Sequence, residues 1–279
     1  MTISFSSSFL TSMVRRNIST SSKALSGNLM RISSGLRLNS AADGAADLSV
    51  ADSLSTEIRG LAVATRNTND GISLTQVAEA ALVETTNALQ GIREFALVAQ
   101  NATVSSADRQ TLQTEVNSLL SEIARIATQT EFNSLRLLAG SFDAMQFMIG
   151  TGSGDVIDIT LSGASYGDLG LGTDASEILV STDTQASTTV TAIDTALDRV
   201  SAIRSQLGGA QSRFSSIINQ IEATTTALDT ARSNIMDADI ALETAALTRN
   251  SILQQAGIAV MAQANLQPKI FLQLLNQNQ

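Results

Sequence analysis

The chain has 279 residues and a formal net charge of −9, with no Cys, His or Trp, one Tyr and one Pro. This composition excludes disulfides, thiolate chemistry and the commonest general base and zinc ligand, and the negative charge opposes a nucleic-acid partner. No segment reaches the roughly 20 consecutive apolar residues that span a bilayer. No cofactor, metal site or pair of catalytic carboxylates is indicated, so the sequence does not predict an enzyme.

The N-terminal segment carries large apolar residues at spacings of three, four or seven, which predicts a helix with one apolar face. Residues 1–42 carry a charge of +5, whereas 43–235 carry −13 and 236–279 carry −1. The basic residues occur singly on the helical pattern, which does not indicate a nucleic-acid-binding arm. The apolar positions are Leu10, Val14, Ile18, Leu25, Leu29, Ile32 and Leu36.

The stretch RISSGLRLNSAADGAADLS separates this helix from the next one. Gly35 loosens the first helix, and Asn39 or Ser40 can cap the second. Asp43 and Asp47 would then lie near the positive N-terminal end of the second helix. A plain helix–loop–helix turn is the alternative for this stretch taken alone. The connector residues are Ser33, Ser34, Gly35, Leu36, Arg37, Asn39 and Asp43.

Two further helices are predicted before residue 130. The first occupies roughly 45–100, and the second follows Ser105-x-x-Asp108, which resembles an N-capping box. The apolar positions of the first are Leu54, Ile58, Leu61, Ile72, Leu82, Leu89 and Ile92. Those of the second are Leu112, Val116, Leu119, Ile123 and Ile126.

Only the segment 139–189 departs from helical patterning. MQFMIG and VIDITLS predict two strands around TGSGD, which indicates a hairpin. GTGSGD lacks the Lys-Ser/Thr of a phosphate-binding loop, so a hairpin turn is favoured. The Gly-rich stretch SGASYGDLGLGTDAS that follows predicts a loop.

Positions that alternate by four and three residues, most of them apolar, then run without a slip from Ile193 to Val260 and predict one helix of about 100 Å. Gly208-Gly209 is its expected weak point. The positions of this pattern are Ile193, Leu197, Val200, Arg204, Leu207, Gln211, Phe214, Ile218, Ile221, Thr225, Leu228, Arg232, Ile235, Asp239, Leu242, Ala246, Arg249, Leu253, Ala256 and Val260.

These elements predict a mainly α fold: a long antiparallel helical or coiled-coil rod with both termini at one end and a small β-hairpin cap near 140–165. The terminal helices have little else in the chain to pack on. Since lone helices are marginal in water, we expect these ends to be disordered in solution and ordered by neighbouring copies. A contact between copies that does not close builds a helical filament.

Several ordered motifs resemble bacterial flagellin. RISSGLRLNSAADGAADLSVADSL is similar to the N-terminal signature of that family, and RNTNDGISLTQVAEAAL and LQGIREFALVAQNAT are similar to the helix after it. TEFNSLRLLAG resembles the motif before the β region. ARSNIMDADIALETAALTRNSILQQAGIAVMAQANLQP is similar to the C-terminal signature. The first turn, TISFSSSF, departs from the Ile-Asn-Thr-Asn with which the family commonly opens.

The resemblance implies a structural subunit of the flagellar filament, secreted and polymerised into an extracellular tube that acts as a propeller. It implies an inner-tube domain, 1–44 with 236–279, whose coiled coil forms on assembly. An outer-tube domain, 45–235, carries the β insert at about 139–189, and the variable outer domains are absent. We call the terminal apolar positions the polymerisation seam: Leu10, Val14, Ile18, Leu25, Leu29, Ile32, Leu36, Leu242, Leu253, Val260, Phe271, Leu274 and Leu275.

The implied partners are other copies of the chain, an export chaperone at the C-terminal helix, the export apparatus, the filament cap and hook-associated proteins. The resemblance also implies a Toll-like receptor surface at Gly91, Phe95 and Glu115. The family pattern has Arg and Leu where this chain has Gly91 and Phe95, so we expect weak or absent recognition. The alternatives are the hook–filament junction protein of the same family and a coiled-coil secretion or scaffold protein.

Overall fold

A computed structural model describes residues 2–140, 144–172 and 177–276, and the side chains of Phe9 and of the described residues from 11 to 266. Within this part of the chain long helices dominate, and the predicted mainly α fold is confirmed. The elements are α1 (Thr2–Ser34), α2 (Ala45–Ala99), α3 (Ser106–Gln129), β1 (Glu131–Phe132), β2 (Leu135–Arg136), β3 (Met145–Met148), β4 (Val156–Ile159), α4 (Tyr166–Leu169), α5 (Asp183–Met236) and α6 (Ile240–Asn276).

The chain divides into two compact units. The terminal unit comprises residues 1–56 and 227–279, and the central unit comprises 57–226. Helices α2 and α5 each contribute residues to both units. The predicted inner-tube and outer-tube domains concern the assembled tube, and their boundaries stay a prediction.

Three helices of the central unit, α2, α3 and α5, contribute to one apolar core. Helices α2 and α5 run antiparallel in it. Arg204 on α5 bonds Glu79 on α2 at 2.9 Å, and Arg93 on α2 bonds Asp194 on α5 at 2.7 Å. The largest fully buried side chains are Phe214, Leu74, Leu82, Leu89, Ile92, Leu120, Ile123, Leu137, Leu138, Leu169, Leu171 and Ile193.

Along α5, the predicted apolar pattern is confirmed for one line of positions and wrong for the other. The confirmed line is buried at every seventh residue: Ile193, Val200, Leu207, Phe214 and Ile221. The second buried line is Ala196, Ile203 and Ala210, each one residue before the predicted Leu197, Arg204 and Gln211. Arg204 stays at the edge of the core, where Glu79 pairs its charge, because burying an unpaired guanidinium is costly.

The long C-terminal helix breaks where the sequence pattern predicts continuity. Gly208 and Gly209 lie inside α5, which continues to Met236, so the predicted weak point is wrong. The chain leaves helical geometry at Asp237 and resumes it at Ile240. Asp239 explains the restart, because its carboxylate accepts the N–H groups of Ala241 at 2.9 Å and Leu242 at 3.1 Å. An Asp in this position satisfies amides that a new helix leaves without partners.

The predicted hairpin is confirmed as the antiparallel pair β3–β4, in which Met145 lies opposite Ile159 and Met148 opposite Val156. It lies along the helices of the central unit. Asn67 of α2 donates its side-chain N–H to the Met148 carbonyl at 3.1 Å. At the turn, Thr151 lies so close to Gly60 of α2 that a Cβ there would be 2.5 Å from its Cγ2. A glycine at this helix position therefore admits the hairpin.

The hairpin also reaches the core through an aromatic contact. The rings of Phe147 on β3 and Phe214 on α5 meet edge to face, with centroids 5.5 Å apart. Phe214 is fully buried, and a Cβ at Gly71 of α2 would lie 2.5 Å from its Cζ atom. Gly71 thus leaves the space that the Phe214 ring fills, which ties α2, α5 and the hairpin together.

A second small hairpin, β1–β2, was not predicted. It pairs Glu131 with Arg136, and its turn residues Asn133 and Ser134 have φ angles of 50° and 64°. Positive φ at both central residues is the mark of a tight hairpin turn, which Asn favours. The predicted loop after β4 also contains one short helix, α4.

The loop that precedes α5 is anchored by one buried amide on α3. The Gln113 side chain donates to the Ile178 carbonyl at 2.9 Å and accepts the Val180 N–H at 2.7 Å. Both backbone groups would otherwise be buried without a partner. The predicted cap of α3 is confirmed, because Ser105 accepts the Asp108 N–H at 3.2 Å.

Candidate functional site: the terminal helix pair and its connector

Helices α1 and α6 pack against each other in the terminal unit. Arg31 bonds Glu243 at 3.3 Å, and a Cβ at Gly257 would lie 2.8 Å from Cγ1 of Ile18. Positions further along α1 therefore meet positions earlier along α6, so the pair is antiparallel, and the start of α1 and the end of α6 lie at the same end of the pair. The prediction that the terminal helices have little in the chain to pack on is wrong, because each provides the other's apolar surface.

This pairing buries little. Among the described side chains of α1 and α6, only Asn28 and Ala264 are buried. Of the polymerisation seam, Val14, Ile18, Leu25, Ile32 and Leu36 are half-buried, whereas Leu29, Leu242, Leu253 and Val260 are exposed. The side chains of Leu10, Phe271, Leu274 and Leu275 lie outside the described residues. Two helices can cover only one stripe of each other, so their remaining apolar surface faces outward.

Four seam residues meet at a groove between the two helices. Val14 and Ile18 line it from α1, and Leu253 and Val260 line it from α6. The groove has a volume of about 460 Å³, and Gly257 forms part of its wall. The structure thus brings together residues that lie more than two hundred positions apart in the sequence. An open, largely apolar groove of this kind, with Asn17, Thr20 and Ser21 as its polar lining residues, suits the side chains of a further helix.

The connector after α1 lies beside the break between α5 and α6. Gly35, with a φ of 72°, ends α1, and Leu36 forms an isolated antiparallel bridge with Asp237 between α5 and α6. The Arg37 N–H donates to the Met236 carbonyl at 2.6 Å, and the Ala238 N–H donates to the Gly35 carbonyl at 2.9 Å. The two breaks therefore supply each other with the backbone partners that the helix ends lack.

Asp43 organises the rest of the connector. Its carboxylate accepts the Ser40 hydroxyl and N–H, both at 2.9 Å, and the Asn39 N–H at 3.2 Å. These bonds, that of the Ser40 hydroxyl foremost, lower the pKa of Asp43. The prediction that Asn39 or Ser40 caps the next helix is wrong, because α2 begins only at Ala45. Both residues instead form a turn closed by Asp43.

Two arginines tie the connector to its neighbours. Arg31 lies 3.7 Å from Asp43 as well as 3.3 Å from Glu243. Arg37 donates to the Ile235 carbonyl at 2.7 Å and pairs with Asp47 in the first turn of α2 at 3.3 Å. Exposed pairs of this kind are individually weak, but each guanidinium here joins two chain segments.

Acid should loosen this connector through Asp43. Because its folded-state pKa is lowered, the carboxylate stabilises the fold above its unfolded pKa of about 3.9, and this contribution is lost as pH falls through the folded value. We expect Asp43→Asn to lower the thermal stability of the terminal unit near neutral pH. Below about pH 4 the difference in stability between wild type and variant should become smaller. Thermal unfolding followed between about pH 7 and 3 checks this. Ser40→Ala should give a smaller change in the same direction, and parallel profiles for wild type and Asp43→Asn would contradict the assignment.

The predicted receptor positions lie on a different part of the chain, between α2 and α3. Gly91 faces α3, since a Cβ there would be 3.1 Å from Cδ1 of Leu119. Phe95 is half-buried against the central core, and Glu115 on α3 is exposed. The structure places the three residues on two helices, α2 and α3, and of the three only Glu115 is exposed.

No helix within the described residues is long and apolar enough to cross a membrane. Among the same residues, no three Asp or Glu side chains form a group that could hold a metal ion.

Comparison with known proteins matches both ends of the chain to one family. Residues 5–143 match the bacterial flagellin N-terminal helical region, and residues 190–275 match the bacterial flagellin C-terminal helical region. Among solved structures, a putative flagellar hook-associated protein from Vibrio parahaemolyticus covers 70% of this chain and all of its own, with a TM-score of 0.59 and 14% identity. At that identity the likeness concerns the fold alone.

Curated relatives extend the match over most of the chain. A flagellin of Halalkalibacterium halodurans is 40% identical over 88% of this chain and 89% of its own length. A flagellin of Bacillus subtilis is 35% identical over 92% of this chain and 95% of its own length. The chain therefore belongs to the bacterial flagellin family.

Proposed function

We propose that this protein, as a structural subunit of the bacterial flagellar filament, polymerises through the outward surface of α1 and α6. Copies pack through these helices into a helical tube that transmits rotation as a propeller. The protein has a mechanical role and catalyses no reaction. Membership of a structural family supports this function, and the distribution of exposed apolar side chains supports the location of the surface.

That distribution is the observation that carries the proposal. Among the described residues, eleven of the eighteen exposed large apolar side chains lie on α1 and α6. Contiguous exposed apolar surface marks an interaction site in a soluble protein. The eleven are Phe9, Met13, Leu29, Met30, Ile240, Leu242, Ile252, Leu253, Ile258, Val260 and Leu266.

The free energy available from this surface is sufficient for assembly. Full burial of a large apolar side chain contributes roughly 1.5–3 kcal/mol, so burying the exposed half of one contributes about 1 kcal/mol. Eleven such residues contribute on the order of 10 kcal/mol per copy before ordering costs. Removing one of them would then weaken every contact that it makes along the tube.

Electron microscopy of the purified full chain, after addition of a precipitant or short filament seeds, tests the function. We expect long tubes of uniform diameter. If the chain adds only a short ring to hook ends and never elongates, the junction-protein alternative is correct. If no condition yields tubes or rings, the filament function of this chain is wrong.

Secretion into the extracellular filament follows from the same proposal. The export apparatus would pass the chain to the growing tip, where the filament cap would fold it onto earlier copies. The first copies, at the base of the filament, would pack on hook-associated proteins instead. An export chaperone would cover the exposed apolar face of α6, on which Leu242 is 68% exposed, before export. Neither nucleic acid nor a membrane span is required at any step.

Recognition by a Toll-like flagellin receptor should be weak. Gly91 offers no guanidinium, and Phe95 is half-buried against the core. We expect activation of receptor reporter cells to be at least about tenfold below that of a flagellin with Arg at the first position, since a lost interface anchor costs 2 kcal/mol or more. The double change Gly91→Arg and Phe95→Leu should raise activation, whereas Glu115→Gln in the wild-type background should alter it little. Strong activation by the unchanged chain would contradict the expectation.

A further inference from the structure

The exposed side of α1 carries two methionines within one line of positions. Phe9, Met13, Arg16, Lys23 and Met30 follow one another at spacings of three, four or seven, and each is exposed. Phe9 is 65% exposed, Met13 48% and Met30 59%. Val14 and Ile18, on the opposite side, are half-buried beside α6. The thioethers of Met13 and Met30 therefore face away from the helix that packs on α1.

Methionine is the principal oxidisable side chain in this protein. The sequence has no Cys, His or Trp and a single Tyr, against seven Met. Of the methionines with described side chains, three are exposed: Met13, Met30 and Met148 on β3. The others, Met145, Met236 and Met261, are half-buried. Because oxidation follows access to sulfur, a mild oxidant reaches α1 and the β3–β4 hairpin first.

We propose that Met13 and Met30 are modification sites at which a peroxide stops the free subunit from polymerising. This rests on the proposed function, in which a second copy covers the exposed side of α1. The thioether sulfur attacks one peroxide oxygen, an S–O bond forms and the O–O bond breaks. Sulfur loses two electrons, and the other oxygen takes them up and leaves with its protons as water.

The product has the wrong polarity for the surface it occupies. A sulfoxide is a polar, strongly hydrated group, whereas the thioether is a flexible apolar one that fills irregular contacts. Packing a second copy over Met13 or Met30 would strip water from the new oxygen, and burying that oxygen is costly unless a donor replaces the water. At Met13 the hydrated oxygen would lie near Phe9, whose apolar ring the contact with a second copy is expected to bury.

Two properties follow for the assembled tube. A copy that is already covered by its neighbours protects its thioethers, so oxidation acts on unassembled subunits and on the growing end. The modification is also reversible, because a dithiol-dependent methionine sulfoxide reductase returns the sulfur to the thioether and releases the oxygen as water. Growth, rather than the finished filament, is therefore the oxidant-sensitive step.

The test treats the full-length monomer with graded hydrogen peroxide, maps sulfoxides by peptide mass spectrometry and measures seeded polymerisation by sedimentation. We expect at least tenfold less polymer once Met13 and Met30 are oxidised. A Met13→Leu and Met30→Leu double variant, close in volume to wild type, should polymerise equally after treatment. The matched control Met148→Leu, which removes the exposed methionine outside α1, should stay sensitive. Reductase treatment of the oxidised wild type should restore polymer.

A second measurement uses the wild-type chain alone and does not depend on how the variants fold. In assembled tubes, oxidation of Met13 and Met30 should slow at least tenfold relative to the monomer. Undiminished polymerisation by a chain oxidised at both residues would overturn the proposal, as would equal oxidation rates in tube and monomer. If the untreated chain forms no polymer, the proposed function fails instead.

Discussion

Replacing Leu253 by Asp should abolish tube formation while leaving the monomer folded. Leu253 is 52% exposed, so the free subunit tolerates a carboxylate there. In a tube, the same position would be covered by another copy, and a carboxylate without a partner costs several kcal/mol when it is desolvated. Because each copy in the tube repeats the defect, we expect the critical concentration for polymerisation to rise at least a hundredfold. Seeded sedimentation and electron microscopy measure this.

A matched control separates the seam from exposed leucines in general. Leu135 on β2 is 44% exposed and lies outside the terminal helices, so Leu135→Asp introduces the same charge at similar exposure. We expect it to polymerise within about twofold of wild type, in keeping with a surface change of up to 0.5 kcal/mol. Circular dichroism and hydrogen exchange should show that both variant monomers match the wild-type monomer in helix content and amide protection. Normal tubes from Leu253→Asp would place the polymerisation surface elsewhere.

The sequence predicts the long helices because their spacing repeats over many turns. In α5, every seventh residue from Ile193 to Ile221 is buried, as the pattern requires. The second buried line was missed because two of its three members, Ala196 and Ala210, are small and carry little weight in a search for large apolar residues. Their size matters only once a partner helix approaches closely, and that distance is set by the partner.

The connector shows what spacing alone cannot reveal. The predicted register runs without a slip from Ile235 through Asp239 to Leu242, yet α5 ends at Met236 and α6 begins at Ile240. The break depends on Gly35 and Arg37, which are distant in sequence: the Gly35 carbonyl accepts the Ala238 N–H, and the Arg37 N–H donates to the Met236 carbonyl. The Asp239 cap was the local signal that could have located the restart. Gly208 and Gly209 misled for the opposite reason, since packing of the buried side of α5 outweighs their poor helix propensity.

The packing of α1 on α6 bears on the expected disorder of the terminal helices in the free subunit. Their pairing leaves most described side chains half-buried or exposed, with Asn28 and Ala264 as the buried exceptions. A pair with so little burial gains only a small part of the free energy that ordering its residues costs. Neighbouring copies would supply the remainder, which couples order in α1 and α6 to polymerisation.

The largest effect on stability is expected at Phe214 in the central unit. Its ring is fully buried against Gly71 and meets Phe147 edge to face, so Phe214→Ala opens a cavity where three elements converge. We expect a loss of about 3–5 kcal/mol, whereas Phe214→Leu, which keeps most of the volume, should cost less than about 2 kcal/mol. Hydrogen exchange of the α2 and α5 amides in the central unit measures this without requiring both units to unfold together.

A double-mutant cycle tests whether Gly71 and Phe214 form one packing unit. Alanine at position 71 would put its Cβ 2.5 Å from the Phe214 ring, and the displaced ring should cost about 1–3 kcal/mol. In the Phe214→Leu background the clash is smaller, so Gly71→Ala should cost at least about 1 kcal/mol less than in wild type. Additive losses would mean that the ring has room to shift and that Gly71 is tolerated rather than required. A coupled loss would show that the absence of a side chain on α2 fixes where the hairpin and α5 meet.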